Sequence, residues 1–215
     1  MISDTLDLPA ERMRSDPPPG TASIRHINRL LRHGMPLVEL IDGTLIDKPL
    51  SFPHAVVTTE VLLAVGRWMD ARAENAGVLL GASGAVRLSP LVVLMPAVSF
   101  TRAAKVPNVI PPRAPYLPAI PDLVVEVPRE GNTPAEMERK LKEYFLAGVD
   151  LVWFVNLEER AVRVFTSPDD VTTLAAADTL TGGAVLPGFA VPVAALFAAL
   201  PPVPAKPARQ PKKKK

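Results

Sequence analysis

Cysteine is absent from this chain of 215 residues, and its absence excludes both disulfide bonds and zinc sites built from thiolates. Long apolar runs are also missing, since no stretch reaches the ~18 uninterrupted apolar residues that a membrane helix needs. Residues 1–20 are acidic and contain prolines, and they lack the apolar segment of a secretory signal. We therefore predict a cytoplasmic protein that makes no contact with a membrane.

Charge is distributed unevenly along the chain. Residues 201–215 contain six cations and no acid, and subtracting those six from the formal net charge of +2 leaves −4 on the rest. A proline-rich basic segment is typical of a disordered arm, which either keeps a protein soluble or contacts nucleic acid without sequence preference. The cations at its end are Lys212, Lys213, Lys214 and Lys215. Because the body is mildly acidic, any groove that binds DNA must be a local feature.

Three segments carry helix signals. IRHINRLLRHG predicts a short helix that ends at Gly34. From His54 to Ala76, apolar residues recur at helical spacing, and Gly77 is expected to close this long helix. The third segment has a full set of start signals, namely a capping residue, a proline at the first position and a capping-box partner: Thr133, Pro134 and Glu136.

Other segments have the patterns of strands. VELIDGTLID alternates apolar and polar residues around Asp42-Gly43, which is the strongest short signal of a β-hairpin. VLLGASGAVRLSP, LVVLMPAVSF and PDLVVEV also predict strands, and LVVLMPAVSF is almost wholly apolar, as central strands are. VDLVWFVN and RAVRVFT predict a second hairpin with its turn at residues 157–160, and VLPGF and VAALFAAL predict a short strand and a small helix. This order predicts a layered α/β (α+β) fold.

The strand PDLVVEV contains an acid, Glu126, within its apolar run. An unpaired carboxylate in an apolar environment is costly, so Glu126 must be protonated, paired or bound to a cation. Lys140 lies at the edge of the apolar stripe of the next helix, and its long stem can lean toward Glu126. Two interpretations stay open: a structural ion pair, or a Mg²⁺-dependent phosphodiesterase site. In the second, the carboxylate holds the metal, the metal lowers the pKa of water, and the lysine orients the nucleophile or contacts the phosphate.

Five segments in order give the chain a family resemblance. VELIDGTLIDKP, MPAVSF, PDLVVEV, RKLKEYFLAGVDLVWFVN and LPGFAVPVAALF together resemble the Uma2 family (DUF820) of the PD-(D/E)XK nuclease superfamily, over roughly residues 35–200. The resemblance implies a restriction-endonuclease-like mixed β-sheet core flanked by helices. It also implies a DNA endonuclease that depends on Mg²⁺ or Mn²⁺, and a homodimer is a further expectation because family members are often dimeric.

Composition and resemblance together divide the chain into three parts. Residues 1–22 are expected to be a flexible N-terminal leader, residues 23–200 a Uma2-like nuclease domain, and residues 201–215 a disordered basic tail. The segment VAALFAAL at the end of the domain is expected either to pack into the core or to form a dimer face.

The resemblance also implies a set of site residues. Glu39 and Glu126 match the family's acids and are expected to hold the metal, and Lys140 matches its catalytic lysine. The family's central strand normally ends in M-P-D-V, whose aspartate is the leading metal ligand, but this chain has Ala97 there. An alanine methyl cannot coordinate Mg²⁺, which takes oxygen ligands. Arg129, just after the strand of Glu126, is a further departure and is expected to offset part of the charge of that acid.

These departures leave two classes of function open. One is a metal-dependent DNA endonuclease in which Glu39, Glu126 and Lys140 carry the chemistry, with the metal weakly held or lost. The other is a catalytically inactive nuclease fold that binds DNA or a partner protein. Ala97 favours the second class, whereas the three retained residues favour the first.

Overall fold

The computed structural model describes residues 8–33, 37–48, 51–72, 74–129 and 131–201. Within these ranges the α-helices are α1 (Ile24–Arg32), α2 (Phe52–Asp70) and α3 (Pro134–Ala147). The strands are β1 (Val38–Ile41), β2 (Thr44–Asp47), β3 (Gly77–Leu80), β4 (Val86–Arg87), β5 (Val92–Leu94), β6 (Val98–Arg102), β7 (Leu123–Glu126), β8 (Leu151–Asn156), β9 (Ala161–Phe165), β10 (Val171–Leu174), β11 (Thr179–Gly182) and β12 (Leu186–Pro192). Short 3₁₀ helices lie at Ala10–Arg12, Ala103–Lys105 and Val193–Phe197.

Most of the described strands belong to two sheets. The larger sheet has the order β10-β9-β8-β7-β6-β3, in which β7 and β8 are parallel and the other neighbours are antiparallel. Helix α3 connects the two parallel strands, because parallel neighbours need a crossover between them. The smaller sheet has the order β2-β1-β5-β4, and β11 pairs with β12 separately. This arrangement confirms the predicted α+β fold, in which helices flank a mixed sheet.

The larger sheet separates two apolar cores. Successive residues of β7 point to opposite faces, as they do in any strand. Leu123 therefore shares one core with Val61 of α2. Val124 shares the other core with Leu141 of α3 and with Ile41 of the smaller sheet. Helix α3 thus contributes to a core that both sheets line.

The predicted hairpin at Asp42-Gly43 is confirmed. Both residues have positive φ angles, 43° and 74°, which is the backbone of a type I′ turn. The turn also packs against the preceding loop, since Ala22 N–H donates to the Gly43 carbonyl over 2.7 Å. A side chain at Gly43 would bring a Cβ within 2.6 Å of the Gly20 carbonyl oxygen, so only glycine fits this position.

The predicted start of α3 is confirmed as well. Thr133 Oγ1 accepts a hydrogen bond from Glu136 N–H over 3.1 Å, and Pro134 occupies the first turn. At the other end, Gly148 adopts the left-handed conformation with φ of 98°, which closes the helix. These caps set the first and last residues of α3, and thereby determine which of its side chains face the sheets.

Two predicted boundaries are wrong. Helix α2 ends at Asp70 rather than Ala76, and Gly77 is the first residue of β3 rather than a helix terminator, because the chain from there pairs with β6. LVVLMPAVSF forms two strands in different sheets, β5 and β6, rather than one. The chain changes sheet at Pro96, which has no N–H to offer a strand ladder, and the N–H of Met95 donates to a side chain.

Strands β10 and β11 were not predicted from the sequence. Their segments, VTTL and TLTG, are rich in threonine, and VTTL is largely exposed, so no run of apolar residues marks them. Strand β10 extends the larger sheet by pairing with β9, and β11 pairs with β12. Neither carries a residue of the candidate site described below.

The described part of the leader packs against the domain. Leu8 is buried in the core that α3 lines, and Met13 forms a β-bridge with Ile46. Residues 1–7, Gly34 and the tail from residue 202 onward lie outside the described residues, so the expectations for them stay predictions.

The segment VAALFAAL contributes to the core. Val193, Leu196 and Phe197 are buried in the same core as α2. Their apolar side chains are therefore already covered within one chain. No helix among the described residues is long and apolar enough to span a membrane.

Candidate functional site

The fold brings Glu39, Glu126 and Lys140 together. Glu126 is the last residue of β7 and lies on the face of Val124, toward α3. Glu39 lies in β1 on the face of Ile41, which packs into the same core. Lys140 lies on α3 and meets both acids. All three residues are almost completely buried: Glu39 is 0%, Glu126 3% and Lys140 2% exposed.

Lys140 binds Glu39 more closely than Glu126. Its Nζ donates to Glu39 Oε2 over 2.6 Å, whereas Glu126 Oε1 lies 4.0 Å away. The same Nζ lies 3.7 Å from Glu136 Oε1, one turn earlier on α3. The sequence interpretation aimed Lys140 at Glu126, and the nearer partner is instead on the smaller sheet. That partner, Glu39, comes from hairpin β1–β2. The packing of this hairpin against α3 cannot be predicted from local sequence patterns.

Lys48 is a second buried cation, and sequence reasoning missed it. Its Nζ lies 3.3 Å from Glu126 Oε2 and 3.8 Å from Glu39 Oε1, and it donates to the Met95 carbonyl. The hairpin register offered a signal, because Ile46 lies opposite Glu39 and Lys48 follows two residues later on the same face. A lysine at that position is thus directed toward the acid.

Each carboxylate oxygen of the two acids already accepts a hydrogen bond. Glu39 Oε1 accepts from Met95 N–H over 2.9 Å, and its Oε2 accepts from Lys140. Glu126 Oε2 accepts from Lys48, and its Oε1 accepts from the Tyr144 hydroxyl over 2.7 Å. Tyr144 is fully buried on α3, and its hydroxyl is the donor to Glu126.

Burial and ion pairing set the protonation states of this cluster. Burial alone would raise the pKa of Glu39, but Lys140, Lys48 and hydrogen bonds outweigh it and lower that pKa to about 2. Burial lowers the pKa of Lys48, although both acids oppose the shift. Burial acts in the same direction on Lys140, but the neighbouring acids raise its pKa above the ordinary value. Burial and the two acids raise the pKa of Tyr144, so its hydroxyl remains a donor.

Glu136 joins this cluster to the leader. Its carboxylate forms an ion pair with Arg12 and accepts from Asn132 Nδ2 over 2.9 Å. Glu136 is fully buried, and these partners replace the water lost by its Oε2, whereas its Oε1 has no hydrogen-bond partner among the described residues. The described part of the leader therefore contributes a charge that pairs with Glu136.

His54 and Arg129 flank the cluster on the side of the α2 N-terminus. Burial, Arg129 and Lys48 lower the pKa of His54 to about 3, so the imidazole is neutral. The Nε2 atom of His54 and both terminal nitrogens of Arg129 are buried without a hydrogen-bond partner in the described residues. Arg129 forms no ion pair with Glu126 among the described residues, where the ion pairs of Glu126 are with the two lysines. Burial lowers the pKa of Arg129, and the charges of Glu126 and Glu39 oppose that shift, so Arg129 and Glu126 still act on each other as expected.

The sequence matches the model of the Uma2 family, described as "Putative restriction endonuclease", over residues 25–194. The chain belongs to the Uma2 family. The matched range contains Glu39, Lys48, Glu126 and Lys140, so the whole cluster lies in the family's domain. Among curated proteins, none matches the sequence.

The fold of this Uma2 protein resembles that of a solved structure. The crystal structure of "a putative nuclease belonging to DUF820 from Anabaena variabilis ATCC 29413" superposes with a TM-score of 0.66 at 14% sequence identity, covering 76% of this chain and 90% of that one. At this identity the likeness shows a shared fold. It confirms the restriction-endonuclease-like architecture expected from the sequence.

Restriction-endonuclease-like families generally use a divalent metal, but the residues of this Uma2 protein do not fit one. Both acids already have their oxygens bonded, and two ammonium groups lie beside them. In the described residues no group of three or more acids or histidines is placed to hold a metal. Ala97 is fully buried among apolar residues, and the β6–β7 register extended by one residue puts it opposite Glu126. No side-chain oxygen is available from that position.

Proposed function

We propose that this Uma2 protein binds DNA through its nuclease fold and does not cleave it. The observation that carries the proposal is the closed hydrogen-bonding of the two acids, in which two lysines, a tyrosine and a backbone N–H occupy the four carboxylate oxygens. Metal-assisted hydrolysis needs carboxylates that are free to coordinate the ion and an open position for water. The cluster supplies neither, and Ala97 adds no ligand.

Support for DNA as the partner comes from the family and from helix α1. Arg25, Arg29 and Arg32 are exposed and spaced by four and three residues, so they share one face of the helix. None of them forms an ion pair within the described residues. At 1.5 Å per residue the row is about 10 Å long, which is close to three base-pair steps of ~3.4 Å along the axis of a DNA duplex. A row of unpaired arginines suits contact with a phosphate backbone.

This arginine row lies away from the buried acids. Ile27 of α1 shares a core with Val38 and Leu40 of β1, whereas Glu39 points to the other face of that strand. DNA bound along α1 would therefore approach the smaller sheet from the face opposite the cluster. Binding and cleavage can be tested separately for this reason.

A metal-dependent endonuclease is the second candidate, and one observation favours it. The resemblance assigns catalysis to Glu39, Glu126 and Lys140. Oxygens of both acids lie within 4.0 Å of Lys140 Nζ. For this activity a metal ion would have to displace Lys48 from between the two acids. The two candidates differ in whether DNA is nicked.

Two assays test the proposed function. Supercoiled plasmid incubated with the protein in Mg²⁺ or Mn²⁺ should remain uncut, and a labelled duplex should bind with an affinity that falls as salt increases. Arg29→Gln should weaken duplex binding several-fold and reduce the salt dependence, whereas Arg113→Gln removes the same charge from an exposed loop and should leave both near wild type. Metal-dependent nicking that disappears in Glu126→Gln would overturn the proposal, and so would the absence of duplex binding at low salt.

A further inference from the structure

We propose that the ammonium group of Lys48 is the resident cation of this site, in the position between Glu39 and Glu126 that a divalent metal would otherwise fill. The proposal builds on the absence of cleavage proposed above, because it names the group that excludes the metal. It is independent of DNA binding.

The surroundings of Lys48 Nζ are those of a bound cation. One oxygen from each of three chain segments faces it: Glu39 Oε1 at 3.8 Å, Glu126 Oε2 at 3.3 Å, and the carbonyl oxygen of Met95, to which it donates. Two carboxylate oxygens and a backbone carbonyl are also the ligands that hard divalent cations take in proteins. The oxygens come from β1, the end of β7 and the segment between β5 and β6, so both sheets meet at this ammonium.

Lys48 supplies one of the positive charges that offset the two acids. Glu39 and Glu126 carry two negative charges, and Lys48 and Lys140 carry two positive ones. Glu136 pairs with Arg12, and Arg129 adds a further positive charge that acts on both acids. The two acids and the two lysines are buried, so an uncompensated charge would be costly. A divalent ion added to the intact cluster would leave such an excess. Removal of the Lys48 ammonium would instead leave a carboxylate unpaired and create a demand for a cation.

The position of Lys48 is fixed by its backbone as well as by its ammonium group. Its N–H donates to the Leu37 carbonyl over 2.8 Å, which continues the β1–β2 pairing beyond Asp47. The stem therefore starts beside Glu39 and is directed along the face toward α3. Lys140 approaches from α3 on the opposite side and binds the other oxygen of Glu39. The two lysines occupy different oxygens and are not interchangeable.

The proposal is tested by measuring Mn²⁺ binding, which lowers the electron paramagnetic resonance signal of free Mn²⁺. The wild-type chain should bind none at this site, and Ala97→Asp should bind little because Lys48 still occupies the position. Lys48→Ala should gain one Mn²⁺ site, at least tenfold tighter than any binding by the wild type. Lys48→Ala with Ala97→Asp should gain a further tenfold, since the added carboxylate supplies a ligand. Lys48→Arg keeps the cation and should bind no Mn²⁺.

A matched control is Lys142→Ala, which removes an exposed lysine from α3 and should leave Mn²⁺ binding unchanged. Wild-type binding of Mn²⁺ that disappears in Glu126→Gln would overturn the proposal, and so would Lys48→Ala that folds and gains no site. If Lys48→Ala does not fold in the absence of metal, Mn²⁺ should restore its native circular dichroism. A variant that stays unfolded in Mn²⁺ overturns the proposal too.

The same set of proteins separates this proposal from the function proposed above. Plasmid nicking by the wild-type chain would remove the non-cleaving function, whatever Lys48→Ala does. If the wild-type chain leaves the plasmid uncut and a folded Lys48→Ala does not bind Mn²⁺, only the proposed role of Lys48 is overturned. Duplex binding by the wild-type chain affects neither the interpretation of the plasmid assay nor that of Mn²⁺ binding by Lys48→Ala.

Discussion

Two lysines of α3, only two residues apart, form ion pairs of the same length in opposite surroundings. Lys140 Nζ lies 2.6 Å from Glu39 and Lys142 Nζ lies 2.6 Å from Glu138. The side chain of Lys140 is 3% exposed, whereas that of Lys142 is 56% exposed. The first pair joins two distant parts of the chain, and the second joins residues one helical turn apart. Bond length therefore says little about the importance of a pair, and burial decides it.

The largest expected effect is that of removing the buried lysine. Lys140→Ala should lower the free energy of unfolding by roughly 3–5 kcal/mol, because it leaves Glu39 buried without its nearest cation. Urea denaturation at neutral pH measures this loss. Lys140→Met combined with Glu39→Gln removes both charges and should be less destabilised than Lys140→Ala. If the double variant is the less stable one, the pair is not the source of the effect.

The next effect concerns acid. The pKa of Glu39 is about 2 in the folded chain against 4.5 for an ordinary glutamate, so its stabilisation is complete above about pH 4.5 and is lost as the pH falls toward 2. A difference of this size corresponds to about 3 kcal/mol. Glu39→Gln should therefore show a smaller loss of stability between pH 4.5 and 2.5 than the wild type. Glu138→Gln, on the exposed pair, should keep a slope close to that of the wild type. Equal slopes in all three proteins would contradict the prediction.

An intermediate loss of stability is expected from removing the hydroxyl of a buried tyrosine, compared with that of a partly exposed one. Tyr144→Phe removes a hydrogen bond to a buried charged acid and should cost about 2 kcal/mol in urea denaturation. Tyr116 is partly exposed and its hydroxyl lies 3.5 Å from Arg87, so Tyr116→Phe should change stability much less. Similar losses of stability in both variants would mean that the hydrogen bond from the Tyr144 hydroxyl to Glu126 contributes no more than an exposed one.

The smallest effect is expected at the exposed pair. Lys142→Ala should leave the urea midpoint at neutral pH indistinguishable from that of the wild type, because water and salt screen a pair of this kind. The contrast with Lys140→Ala, measured under identical conditions, is the sharpest form of the comparison. A clear loss in Lys142→Ala would show that the exposed pair contributes more than its surroundings suggest.

Local patterns predicted much of the fold because their causes are local. Asp42-Gly43 favours a tight hairpin through the backbone of two residues, and Thr133 with Pro134 starts α3 through contacts within one turn. Helix α2 was placed correctly in kind but not in length. Its end depends on where β3 begins to pair with β6, which is a contact between distant parts of the sequence.

The candidate site was predicted in part for the same reason. Glu126 was conspicuous because a charge within an apolar strand demands a partner, helical spacing pointed to Lys140, and the family resemblance added Glu39. Lys48 lies in no apolar run, and only its place in the hairpin register pointed toward Glu39, because a lysine after a hairpin is ordinarily exposed. Its burial follows from the meeting of the two sheets at α3, which brings β2 next to the end of β7.

The sequence by itself determined most of the elements, the family and the presence of a buried acid that needs a cation. Periodicity, caps and turn residues act over a few positions, so they can be read directly from the chain. Only the tertiary structure decided which cation meets that acid. The packing of two sheets against α3 directs two ammonium groups toward two carboxylates, and burial makes their balance of charge decisive.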